Sequence, residues 1–218
     1  MKYDYKSLKH RHRTERDAFH INLSLRVHRS LSWLDHAEKA VPDKDGQYIS
    51  LWIAFNAAYA CEFDMNNDTP EQSVFGRFIE RLCELDKQGL LDEIVWNEFP
   101  RSIRVLLDNK YVFRPFWEYS EGKITEQEWK DKFTSAKRAT TKALGKKNTA
   151  TVLNNVFARL YTLRNQILHG GATWNSSVNR EQLRDGVAIL EKIVPSIISI
   201  MMDNPNTLWG DPCYPVVD

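Results

Sequence analysis

The chain has 218 residues, 42% of them hydrophobic and 27% charged, with a formal net charge of +1. That length and apolar content suit one domain with a full core. The charge balance excludes a chain that is basic or acidic throughout, so any contact with nucleic acid has to come from a local patch. The three cysteines, Cys61, Cys83 and Cys213, are odd in number and lie far apart. This argues against a disulfide framework or a zinc knuckle and fits a reducing cytoplasm. The start, Met1 to Tyr5, is polar, so no secretory signal is expected. The most apolar run, Val187 to Met202, is short and holds Glu191, Lys192 and Pro195. It reads as a buried helix, not a membrane segment.

In chain order, residues 6–16 are basic, with Lys6, Lys9, His10, Arg11, His12, Arg13 and Arg16. The run reads as a solvated start to the first helix, with a phosphate-contacting arm as the alternative. From about Ala18 to Ala40 the pattern is helical, with Leu23, Val27, Leu31 and Leu34 stepping by three and four. Pro42 and Asp43 to Gly46 break it. Gln47 to Cys61 is apolar nearly all round, which predicts a central buried helix. Its one strongly polar residue, Asn56, has two readings: a structural hydrogen bond to a neighbouring helix, or a brace for the 164–169 turn described below.

Residues 62–70 read as a loop. Helices follow at about Glu71–Leu85 and Leu90–Trp96, and a third starts near Pro100 with Ile103, Leu106, Leu107 and Val112. Pro115 interrupts near Phe116 and Trp117. Thr125 with Glu128 forms a capping box that opens a helix through Ala143. Lys130, Lys132, Lys137, Arg138 and Lys142 on it, then Lys146 and Lys147, form the second basic stretch, 130–147. A solvated face is one reading and an RNA backbone track the other.

The next segment, Thr149 to Gly171, is the informative one. Val152, Val156, Leu160, Leu163 and Ile167 share one face of a helix. Arg164, Asn165 and His169 gather on its last turn, and Gly170 and Gly171 stop it. Arg164 and His169 are five residues apart, so on an ideal helix they point about 140° apart. They converge only if the last turn unwinds at the glycines, or if a second copy of the chain completes the site. Asn165 and His169, four apart, can touch directly. Simple capping by the cationic groups is the alternative. Asn179, with Gln182, caps a last long helix with Leu183, Val187, Leu190, Ile193 and Val194 as its stripe and a kink expected at Pro195. The tail from Asp203 reads as coil. No strand alternation is visible, so the predicted fold class is all-α.

The sequence has no Gly-x-Ser-x-Gly elbow and no dinucleotide glycine fingerprint, and Gly145-Lys146-Lys147 is not a phosphate-binding loop. No cofactor and no metal are therefore expected. What remains is an arginine, an amide and an imidazole, which suffice for metal-independent RNA cleavage. The RNA brings the 2′-hydroxyl, a histidine moves the proton, and an arginine stabilises charge on phosphorus oxygens.

Arg164-Asn165-Gln166-Ile167-Leu168-His169 resembles the Arg-x4-6-His motif of HEPN domains, in the form where Asn follows Arg. Leu51 to Tyr59 is similar to the second-helix signature of the Apea-like members. The resemblance covers roughly residues 47–61 and 149–202. It implies a single HEPN-like helical domain over 1–218, with core helices at about 18–61 and 149–202, inserted helices at about 71–145 and a coil tail at 203–218. It also implies a homodimer with the active site at the interface, and an endoribonuclease in which Arg164 and His169 are catalytic and Asn165 orients them. Toxin–antitoxin, phage-defence or RNA-processing settings are implied too, with a nucleotidyltransferase-like antitoxin as a possible partner. Some members bind RNA, nucleotides or proteins without cutting.

Overall fold

A computed structural model of the chain describes residues 3–60, 71–177 and 179–214. All its regular elements are helical, as expected: α1 Tyr5–Glu15, α2 Ile21–Lys39, α3 Lys44–Tyr59, α4 Glu71–Leu85, α5 Leu90–Glu93, α6 Pro100–Leu107, α7 Arg114–Ser120, α8 Glu126–Gly145, α9 Thr149–Leu168 and α10 Arg180–Asp203. The expected loop at 62–70 and Cys61 lie outside the described residues. Cys83 and Cys213 form no disulfide among the described residues. Among the described residues no helix is long and apolar enough to cross a membrane.

The chain groups into two compact units, residues 1–90 with 186–218, and residues 91–185. In the first unit α2 and α3 pack side by side. The predicted stripe Leu23, Val27, Leu31 and Leu34 is buried against the Tyr48, Leu51, Trp52 and Phe55 set of α3. The buried side chains of α10 in this unit include Val187, Leu190, Ile193 and Val194, as its periodicity predicts. The helix runs unbroken through Pro195.

The basic run 6–16 is corrected in one respect. It forms a helix of its own, capped by Asp4, whose side chain accepts from the Ser7 backbone N–H at 2.8 Å. Arg11 is committed internally, 2.9 Å from Glu15 and 2.8 Å from Asp203. The helical pattern breaks between Lys39 and Lys44 as expected, but Lys44 to Gly46 already belong to α3, with Asp43 accepting from the Gly46 N–H at 3.1 Å. The tail is irregular, as expected, and the fully buried Arg26 fastens it. Arg26 donates to the carbonyls of Ala58 and Ala60 at the end of α3 and of Gly210 and Asp211 in the tail.

In the second unit α9 is the central element. Val152, Val156, Leu160 and Leu163 are buried as their spacing predicts, while Ile167 is half-buried. The start of α9 is fixed by Asn148, which caps it, and by Thr149, whose hydroxyl bonds to Asp92 and accepts from Trp96 Nε1 at 2.8 Å. Residues Ile94–Glu98 form a π-helical turn where the sequence suggested continuous α-helix. Pro115 starts α7 instead of interrupting a helix, because its missing N–H costs nothing in a first turn.

Candidate functional site

The candidate residues sit at the end of α9. The helix keeps α geometry through Leu168, and His169 is the C-cap. Gly171 donates to the Gln166 carbonyl at 2.7 Å and Gly170 to the Ile167 carbonyl at 3.2 Å, the paired bonds of a Schellman stop. The backbone favours glycine at both positions. Gly170 has φ +69°, and a Cβ on Gly171 would lie 3.0 Å from the Gln166 carbonyl oxygen.

This geometry bears on the first of the two routes to convergence. The glycines act after His169, so the last turn is not unwound, and within one chain Arg164 and His169 keep the divergent directions of a regular helix. Arg164 is half-buried. Its Nη1 donates to Asn165 Oδ1 at 2.8 Å, and its guanidinium carbon lies 5.6 Å from the centre of the Tyr161 ring. Its Nε is buried with no partner among the described residues, and no carboxylate there neutralises it. Asn165 thus orients Arg164. Its link to His169 runs through the backbone, from the His169 N–H to the Asn165 carbonyl at 3.0 Å, not through the imidazole. The imidazole is exposed and has no hydrogen-bond partner among the described residues.

Gln166 fixes the turn from outside. Its Nε2 donates to the Tyr111 carbonyl at 2.7 Å, and its Oε1 accepts from Asn179 Nδ2 at 2.8 Å. Trp117 Nε1 donates to the same Tyr111 carbonyl at 2.8 Å. Tyr111 itself is 46% exposed, so an aromatic ring stands on the segment that holds the helix end. Asn179, expected to cap the last long helix, has φ +58°, and its side chain ties the start of α10 to the end of α9.

Two further points depart from the sequence reading. Asn56 lies on α3 in the first unit, and its buried Oδ1 has no hydrogen-bond partner among the described residues, so the expected structural bond from it is not made there. Arg159 was overlooked. It is 6% exposed, donates from Nη2 to the Leu107 carbonyl at 3.2 Å and stacks 4.2 Å from the centre of the Phe113 ring. Burial pulls its pKa down from 12.5 to about 10, against the opposing pull of Asp108. The signal was present: Arg159 falls three after Val156 and four before Leu163, on the apolar stripe itself.

Chemically, the turn offers an oriented cation with no counter-ion, and an imidazole with no hydrogen-bond partner, among the described residues. The first suits a phosphate and the second suits proton transfer. Among the described residues there is no cluster of His, Cys, Asp and Glu able to hold a metal ion. No family model, no curated protein and no solved structure matches the chain.

Proposed function

We propose that the chain is a metal-independent endoribonuclease of the HEPN type that works as a homodimer. The observation that carries the reading is Arg164, held by Asn165, near an exposed His169 at a glycine-stopped helix end, the one with no carboxylate and the other with no hydrogen-bond partner among the described residues.

In the proposed reaction an imidazole removes the proton from the ribose 2′-hydroxyl. The oxygen attacks phosphorus, a 2′,3′-cyclic phosphate forms, and the bond to the 5′-oxygen breaks. A second, protonated imidazole supplies the proton that the leaving oxygen needs. Arg164 stabilises the charge that builds on the phosphorus oxygens. One helix end carries one such imidazole, and regular helix geometry directs Arg164 about 140° away from it, so in this reading the second copy supplies the missing half. Incubation of RNA with the protein in EDTA, with analysis of the product ends, tests this. Cyclic phosphate ends support it; cleavage that requires a divalent metal sinks it.

The divergence of Arg164 and His169 within one chain favours a second reading, a HEPN-type module that binds RNA, a nucleotide or a protein partner without cutting. Under that reading the protein leaves RNA intact and Arg164→Ala changes affinity alone.

A further inference from the structure

Between Lys132 and Arg180 the chain contains nine Lys and Arg and no Asp or Glu. The remainder carries the other 21 basic residues against all 29 acidic ones. A concentrated cationic block therefore sits in a nearly neutral protein, and such a block repels itself unless it meets something anionic. It spans most of α8, the turn after it and all of α9.

The structure gives this block a shape. A cavity of about 520 Å³ lies between α6 and α8, with Arg104, Asp108, Lys137, Thr140 and Thr141 in its wall. A second, of about 590 Å³, is lined by Thr134, Lys137, Arg138, Thr141 and Lys142. The two share Lys137 and Thr141. Lys137 is held in place, 2.5 Å from Asp108 Oδ1 and 5.8 Å from the centre of the Phe133 ring. Arg104, Arg138 and Lys142 are exposed and make no ion pair among the described residues. By contrast Lys130, on the same helix but outside both cavities, is spent on Glu126 at 2.6 Å. The wall also holds Leu107 and Leu144, and the exposed Arg104, Arg138 and Lys142 beside the hydroxyls of Thr134, Thr140 and Thr141 are the groups a phosphodiester backbone requires.

We infer that these two cavities form a groove for the backbone of single-stranded RNA, holding phosphates several nucleotides away from the one cut at the Arg164/His169 turn. The inference rests on the endoribonuclease reading. Unpaired RNA is specified because in-line attack by a 2′-hydroxyl needs a strand free to rotate. The separation follows from the helix register. Asn155 Nδ2 donates to Thr140 Oγ1 at 3.4 Å, which sets α8 and α9 as an antiparallel pair. His169 lies 14 residues beyond Asn155, about 21 Å at 1.5 Å per residue. At about 3.4 Å per stacked nucleotide, that is roughly six nucleotides.

The test is fluorescence anisotropy with a labelled, unstructured RNA of about twelve nucleotides, in EDTA, over a range of salt. All proteins carry His169→Ala so that the RNA stays whole. The double substitution Arg138→Gln with Lys142→Gln is compared with Lys130→Gln, which removes the same kind of charge from the same helix outside the groove. The double variant is expected to bind on the order of tenfold more weakly at low salt, with a plot of log affinity against log salt shallower by about 1.4. Lys130→Gln is expected to bind like its parent. Unchanged binding by the double variant, an equal loss with Lys130→Gln, or no RNA binding at all overturns the groove. Cleavage is scored separately on proteins that keep His169. Normal cutting with unchanged binding in the double variant removes the groove and leaves the nuclease. Lost binding in a protein that never cuts does the reverse.

Discussion

Acidification should weaken the first unit through one buried imidazole. His12 is 2% exposed, with Nε2 3.2 Å from Ser24 Oγ and Nδ1 without a partner among the described residues. Burial, then the charges of Lys9, His28 and Arg16, pull its pKa down from 6.5 to about 4. His28 is pulled down as well, first by burial and then by Lys9. The folded state therefore resists a proton that the unfolded chain accepts. The stabilising contribution of His12 is complete above about pH 6.5 and is lost as the pH falls towards 4. With those two values, the loss is about 2 kcal/mol at pH 5 and about 3 kcal/mol at pH 4. Urea unfolding followed by circular dichroism at pH 7.5, 5 and 4, on the parent and on His12→Phe, measures it. The variant is less stable at neutral pH because the Ser24 bond is gone, but its curve against pH is flatter by about those amounts. If parent and variant lose the same stability between pH 7.5 and 4, the imidazole is not the responsible group and the argument from burial fails.

Gly170→Ala forces a side chain into φ +69° and should cost about 1–2 kcal/mol, whereas Gly170→Asn should cost visibly less; thermal denaturation of both separates backbone strain from lost flexibility. Arg159→Ala leaves a cavity and an unpaired Leu107 carbonyl and should cost about 3 kcal/mol, read from urea midpoints, while Arg159→Met, which fills the space, should recover about half of that. Equal costs for the two would mean that the loss does not come from the vacated volume.

The fold class was readable because two helices carry their burial in their spacing. Leu23, Val27, Leu31 and Leu34, and Val152, Val156, Leu160 and Leu163, behave as period alone requires. Local chemistry was readable too: Thr125 and Glu128 do form a capping box, and Gly170 and Gly171 do end α9. What failed depended on partners distant in sequence. Within residues 6–16, Lys6, His10, Arg13 and Arg16 are exposed as read, but nothing nearby announces that Asp203 will neutralise Arg11. Arg159 went unnoticed because a cation on an apolar stripe reads as surface until the Phe113 ring and the Leu107 carbonyl are found around it. At the candidate site the sequence named Arg164, Asn165 and His169, but not their pairing. Asn165 could have held either neighbour, and only the side-chain geometry assigns it to Arg164. Gln166 carried no signal, since its two partners, Tyr111 and Asn179, come from other segments.

The most direct test of the central reading is RNA digestion in EDTA by the parent and by His169→Ala. The imidazole makes no hydrogen bond among the described residues, so its removal should leave the thermal midpoint nearly unchanged, a shift of less than about 0.5 kcal/mol in stability. The account predicts cleavage by the parent that falls on the order of 10²-fold or more in the variant. A correctly folded His169→Ala protein that cuts RNA as fast as the parent would contradict it.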